Sequence, residues 1–543
     1  MHDPLHPTRR DILVSLLDAP LAAAACRKAP PPRHLEGEIV GGSVDFGHAL
    51  RSRREVTVPP DAWTRTGVVI VGAGIAGLSA AWQLERSGYR DYVVLELEKD
   101  AGGTSVSGHS SVSPFPWGAH YLPVPLANNE ALIALLDEMG LLEGRHGDGS
   151  PIVKEEHLCR DPQERVFYRG RWAEGLYLHA GASPEDLRQL ASFKEQIGAW
   201  IAFRDEIGRR AFAIPRSHSS DHEKVRALDT ISMAEYLDAR GLDSPRLHWF
   251  VEYACRDDYG TLLETTSAWA GIFYFASRLA KLADEDEPLI TWPEGNGRFV
   301  RHFASRCEGR VRTSTAALRV RDTGEGVEVI AAGRDGRIAG FRASRVIFAA
   351  QQFLRPYLIE SAGGAMAAPE GFEYSPWLVA NLTLRDRFPE RDFPLAWDNV
   401  FYESRSLGYV CATHQRGVFH GPTVLTWYYA LCHDAPGGER RRLLDLGWRE
   451  WADVILADMR LAHPQIDDLT LRVDMMRWGH AMVSPSPGFM FGDSLRRASE
   501  PVGRIHFANS DLSGLALLEE AFDHGTRAAD EVLRAVKQDA PAT

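Results

Sequence analysis

The sequence predicts an α/β fold. One parallel-sheet domain is assembled from discontinuous segments, and a second α+β domain of mixed sheet and helices lies between them. Three observations point there. Gly67-Val68-Val69-Ile70-Val71 is an unbroken apolar, β-branched run, the pattern of a strand buried on both faces. A glycine-rich turn follows at once and leads into helical periodicity from Leu78 to Ser87, ended by Gly88. Strand patterns return far along the chain, at 345–350 and 503–508.

In chain order, residues 1–26 carry Thr8-Arg9-Arg10-Asp11 ahead of a weakly apolar stretch, Ile12 to Ala25. This resembles a twin-arginine export signal, a route that moves already folded proteins, and it implies a periplasmic location. Cys26, after Ala23-Ala24-Ala25, is a candidate lipid-attachment residue. Without a working signal the protein stays cytoplasmic. Residues 27–66, with Pro30-Pro31-Pro32, read as linker and lead-in.

Residues 67–125 form the first part of the parallel-sheet domain, with Tyr92–Leu95 as its second strand. Residues 126–292 are mainly helical, notably Pro184–Ile207 and Ser232–Arg240 before Gly241. Residues 293–360 return to the sheet through Val327–Ile330 and Arg345–Ala350. Residues 361–490 hold aromatic strands, Trp377–Leu384, Val400–Ser404 and Thr423–Tyr429, then a long helix from Glu439 to Ala462 before Pro464. Residues 491–543 close the domain with a strand at 503–508 and a helix from Leu517 to Val536.

Composition removes whole classes of function. The chain has 543 residues, 44% hydrophobic and 25% charged, an ordinary globular balance. A net charge of −13 with no Lys/Arg-rich run argues against nucleic acid as a partner, because displacing counterions needs a cationic face. Six cysteines lie far apart with no C-x-x-C pair, so neither a zinc ribbon nor a disulfide scaffold is indicated, and no metal is expected. No run of apolar residues reaches membrane-spanning length.

The chemistry starts at Gly72-Ala73-Gly74-Ile75-Ala76-Gly77, a G-x-G-x-x-G between strand and helix. In that context Gly72 makes the tight turn, Gly74 lets a pyrophosphate approach the backbone, and Gly77 permits close helix–strand packing. The phosphates then face the free N–H groups of a helix N-terminus. Glu96 ends the second strand, where a carboxylate accepts hydrogen bonds from both ribose hydroxyls and repels a 2′-phosphate. A Rossmann-like dinucleotide site follows.

Glu96-Leu97 continue into Asp100-Ala101-Gly102-Gly103-Thr104. With Gly503–Asp511 and Leu518–Ala529, this resembles the FAD-dependent amine oxidase superfamily, in which the strand-end Glu is followed by a Gly-Gly pair. The resemblance implies FAD as cofactor, with Leu97, Gly102, Gly103 and Thr104 extending the glycine surface along it. It also places Ala317 on the adenine side, Asp511 at the FAD linkage and the Leu518 N–H toward the isoalloxazine. Trp117, Gly118, Ala119 and His120 would run beside the ring system. No cysteine falls in the C-terminal segment, so binding is expected to be non-covalent.

Only one dinucleotide fingerprint is present, so electrons are expected to come from a small organic substrate as hydride and leave to oxygen or another acceptor. His480 and His120 are the candidate proton-handling groups, and Trp478 and Trp427 candidate aromatic walls. On the strand, Trp427 and Tyr429 share a face opposite Tyr428. Arg256-Asp257-Asp258-Tyr259 reads as a helix-end ion-pair network. The chain departs from the family in three places: Leu517 stands where an aromatic residue is common, Asn509 replaces Gly, and no lysine occurs between Lys281 and Lys537. The expected activity is oxidation of an amine or related metabolite. A C–C desaturase or isomerase, and a non-catalytic flavin-binding envelope protein, stay open as alternatives.

Overall fold

The central strands of the first sheet, at 67–71, 92–95 and 345–348, trace back to apolar, largely β-branched runs in the chain. A computed structural model describes residues 35–49, 56–281, 288–361, 364–389, 392–418 and 420–539. The proposed export segment, including Arg9, Arg10 and Cys26, lies outside the described residues. From Gly37 onward the chain clusters as one compact unit.

A nine-stranded mixed sheet is built around Trp63–Val71. This strand pairs in parallel with Tyr92–Leu95 on one side and Ile338–Phe348 on the other, and Ile505–Phe507 pairs in parallel with the latter. Val68, Val69 and Ile70 are wholly buried, as a strand covered on both faces requires. The strand starts at Trp63, earlier than Gly67, because its first residues face outward and leave no apolar run to read. The helix Ile75–Arg86 covers one face and packs on the long C-terminal helix Leu518–Asp539 and on Gly297–Arg306. Trp82 ties these together, with its ring 5.9 Å from Phe303 and 5.6 Å from Phe522.

The second sheet has eight strands. Its centre is Tyr374–Leu384, buried throughout and flanked antiparallel by Thr423–Ala430 and Thr470–Val483. Ile39–Val40, within the stretch read as linker, adds a short parallel edge strand to Thr470–Val483; two residues carry no periodic signal. Helices Pro184–Ala202, Met233–Asp238, Pro245–Tyr259 and Ala268–Ala276 form the helical part. The first two begin in capping boxes, Ser183 with Asp186 and Ser232 with Glu235, which satisfy otherwise orphaned N–H groups.

The single helix expected over Glu439–Ala462 is two, Pro436–Asp445 and Trp448–Met459. Leu446 is extended, and the Gly447 N–H donates to Glu450 at 2.8 Å, starting a new helix. Leu443 and Trp451, one on each side of the break, are both fully buried. Among the described residues no helix is long and apolar enough to cross a membrane.

Candidate active site

Between the two sheets lies a cavity of about 930 Å³, and it is built first from glycine. Gly72 sits at φ +101°, a conformation open to glycine but strained for other residues, and its N–H donates to Leu95 O at 2.8 Å. A Cβ at Gly77 would stand 1.9 Å from Gly72 O, so only hydrogen fits where helix meets turn. The second glycine pair lies directly against the first: Gly102 N–H donates to Ala73 O at 2.8 Å, and Gly74 bridges to Gly102. Two glycine runs distant in sequence thus form one bare floor at the start of the Ile75–Arg86 helix.

Glu96 borders this floor. Its two carboxylate oxygens accept from the N–H groups of Ala73 at 2.7 Å and Glu98 at 2.9 Å, which fixes the side chain. Burial pushes its carboxyl up from the usual range, against those backbone bonds. Asp511 is also buried on the cavity wall; it accepts from Tyr374 Oη at 2.6 Å and Gln352 N–H at 3.1 Å. Burial raises it to about 6.

Of the sequence-predicted residues, Gly72, Gly74, Ile75, Ala76, Glu96, Leu97, Gly102, Gly103, Thr104, Ala119, Ala317, Asp511, Leu518, Trp478 and His480 all line the cavity. Ala73, Gly77, Trp117, Gly118, His120 and Trp427 do not. Ala73 and Gly77 act from behind, through the bonds and close approach just described. Trp117 and Gly118 are one layer back: Trp117 O accepts from Trp478 Nε1 at 2.7 Å, and Gly118 O from Tyr428 Oη at 2.9 Å. Trp427 is a core residue rather than a wall. It is buried against the Trp448–Met459 helix, its Nε1 donating to Asp458 at 2.8 Å, on the sheet face opposite Tyr428.

His120 faces away from the cavity into a nest of rings. It stacks on Tyr428 at 4.7 Å and lies 5.4 Å from Trp397 and 5.2 Å from Tyr121. Burial lowers its pKa to about 4, so it is neutral at neutral pH. His480 stacks on Phe353 at 4.1 Å and meets Tyr374 edge-on at 5.8 Å, close to Asp511.

Behind Trp117–Ala119, the nest continues to Tyr253, which has no sequence signal, and to the 256–259 cluster expected as a helix-end ion-pair network. Tyr253 donates to Asp398 at 2.9 Å. Both Asp258 carboxylate oxygens accept from one nitrogen of Arg278, Nη2, at 2.7 and 3.0 Å, with both side chains about 4% exposed. This part of the expected ion-pair network is present. Asp257 is different. It lies one helical turn after Tyr253, on the same face. Its charge is felt by Tyr253, Tyr274 and Tyr428. Burial beside Asp258 and Asp398 holds its carboxyl well above the usual range. A run of four polar letters looks like a surface helix end, and only packing shows that it points inward.

Other cavity residues had no sequence signal. Gly42, Ser43, Val44 and His48 come from the N-terminal stretch, and Arg440, Arg441 and Arg477 from the second sheet and its helix.

The flavin containing amine oxidoreductase family model matches residues 75–533. The chain belongs to this family. It is also 27% identical, over 289 residues, to AofH of Mycobacterium tuberculosis (strain CDC 1551 / Oshkosh), assigned as a flavin-containing monoamine oxidase. That match covers 52% of this chain and 56% of the relative, so the chain spans about half the length of the curated relatives it matches. Among solved structures, putrescine oxidase bound to putrescine superimposes with a TM-score of 0.63 at 18% identity, covering 87% of this chain and all of the other. Cyclohexylamine oxidase from Brevibacterium oxydans IH-35A gives 0.59 at 15%, over 87% and 99%. These two likenesses show the fold.

The family's flavin fits the residues present. The glycine floor admits a pyrophosphate, Glu96 stands where the sugar would lie, and Ala119, Trp478, Leu517 and Leu518 line the cavity with apolar side chains that suit a ring system. When bound, FAD supplies the two-electron acceptor. Among the described residues no group of three or more His, Cys, Asp or Glu is arranged to hold a metal ion.

Proposed function

We propose that this protein oxidises an amine that carries a second cationic group, with FAD as the acceptor of hydride and with oxygen or another acceptor taking the electrons on. The observation that carries the substrate class is Asp257. Among the described residues its carboxylate accepts no hydrogen bond, although Asp258 beside it is fully paired. It keeps partial exposure deep in the molecule, as do Tyr121, Tyr274 and His120, so an open space reaches this nest. Arg278 and Arg256 offset only part of the burial that favours the neutral form of Asp257, and a cation supplied by the substrate favours the ionised carboxylate further. The surrounding tyrosine and tryptophan rings favour the same charge through their π-faces.

The chain's own groups then have distinct tasks. Asp257 and the rings hold the distant ammonium. Tyr428 fixes the Gly118 carbonyl and Trp478 the Trp117 carbonyl, so the backbone between substrate nest and cavity is held rigidly. Neutral His120 adds no competing positive charge. The apolar rings exclude water, which keeps the reacting carbon in a dry, oriented position.

The test is a comparison of diamines with monoamines of equal length under anaerobic conditions, following loss of flavin absorbance. Asp257→Asn should lower the diamine-to-monoamine ratio of kcat/KM by ~100-fold, the scale for a lost buried ion pair. An unchanged ratio overturns the substrate class. A wild-type protein that carries no flavin overturns the whole reading.

The location is also part of this proposal. The arginine pair and weak apolar stretch support export of the folded holoprotein by the twin-arginine route. Changing Arg9 and Arg10 to Lys should leave the protein in the cytoplasmic fraction. Equal distribution of variant and wild type would refute the signal.

A further inference from the structure

The stretch from Gly37 to Ala49 precedes the region that the family model matches, yet it reaches both halves of the molecule. At one end, Ile39 and Val40 pair in parallel with Met475 and Met476 of the eight-stranded sheet. At the other, Ser43 donates from both its N–H (2.8 Å) and its hydroxyl (2.7 Å) to the carboxylate of Glu98. Glu98 stands two residues beyond Glu96, the residue positioned for the ribose, and is itself tied to Arg334 at 3.2 Å. Between the two anchors, Gly42, Ser43, Val44 and His48 line the cavity next to Leu97 and Glu98.

We propose that residues 37–49 are a cofactor-binding strap that closes over the adenosine half of the dinucleotide. This rests on the FAD reading above. The strap is attached at its ends, by two ladder pairs and the Glu38 contacts with Arg472 and Asp474 on one side and by the Ser43–Glu98 contact on the other, so it lifts at less cost than opening either sheet. A ligand whose adenosine end is covered leaves only when the strap does, and strap stability therefore sets the release rate. The anchor at Gly37 is steric as well: a Cβ there would lie 1.9 Å from Val473 O, on the strand that the strap joins.

Two single variants of the holoprotein test this, Ser43→Ala at one anchor and Gly37→Val at the other. FAD release is followed as the recovery of flavin fluorescence after dilution. Each variant should release FAD at least about tenfold faster than wild type, Ser43→Ala through loss of the one charge-assisted hydroxyl bond to Glu98 and Gly37→Val through the clash with Val473 O. The visible spectrum of the flavin that stays bound should be unchanged, because the ring lies at the other end. Unchanged release in both variants overturns the strap while leaving the FAD reading intact. Faster release with a shifted spectrum and a lowered melting temperature reports general damage and overturns it too. Absence of FAD from the wild type instead removes the reading on which the strap depends.

Discussion

Gly77 illustrates how a single hydrogen atom carries function. Its Cα faces Gly72 O so closely that a methyl group would stand 1.9 Å away, and Gly72 O is backbone that cannot swing aside. Gly77→Ala must therefore push the helix off the turn and spoil the N–H groups meant for the pyrophosphate. The purified variant should fold with the secondary structure of wild type but carry less than about a tenth of its flavin, a ratio worth only ~1.4 kcal/mol of binding. Full flavin content by absorbance would show that the glycine floor is not the phosphate site. Tyr428 and Trp427 make the complementary point. They are adjacent in sequence and equally aromatic, yet one meets the Gly118 carbonyl and the other a helix aspartate, because strand neighbours face opposite sides.

At the scale of elements, the start of the Leu518–Asp539 helix concentrates buried charge. Glu520 accepts from Ser513 Oγ at 2.5 Å and from the Arg216 N–H at 2.6 Å, and Ser513 also meets His524 at 2.8 Å. Burial lifts Glu520 to about 8 despite these donors. The folded chain thus holds this proton to a higher pH than the unfolded chain, whose glutamates titrate near ~4.3. Its contribution to stability is complete below that lower value and is lost as pH climbs toward 8. Glu520→Gln keeps the group neutral at every pH. The unfolding free energy of the variant should gain on wild type between pH ~5 and ~9, by roughly a few kcal/mol at the upper end given about 1.4 kcal/mol per pKa unit. Urea titrations at a series of pH values measure the difference, and parallel curves would rule out a buried proton here. The paired helices Pro436–Asp445 and Trp448–Met459 show the opposite kind of control. Hydrophobic periodicity continues through Leu446 and Gly447, but the capping bond from Gly447 to Glu450 ends one helix and starts the next.

For the molecule as a whole, the parallel-sheet domain was largely legible because its signals are local. A β-branched run, a glycine turn and a strand-end carboxylate are each read within a few residues, and they recur at 67–96, 345–350 and 503–511. The substrate half was poorly legible for a physical reason. The proposed specificity rests on Asp257, which differs from its neighbour Asp258 in that Arg278, just past the end of the Ala268–Ala276 helix, hydrogen-bonds only Asp258 of the two. The Gly37–Ala49 stretch was read as linker for a similar reason: its value lies in contacts with residues 98 and 475–476, and nothing in its own periodicity shows them.

Sequence by itself therefore determined the α/β class, the glycine turn at 72–77 and the carboxylate at 96. Each needs only residue type and spacing, since backbone φ, steric room and charge position are local properties. Tertiary structure alone decided that two glycine runs share one floor, that Tyr428 rather than Trp427 faces the aromatic nest, that Asp257 points into it, and that the N-terminal stretch borders the cavity. Those outcomes depend on which distant surfaces meet, and that is settled by packing rather than by any one segment.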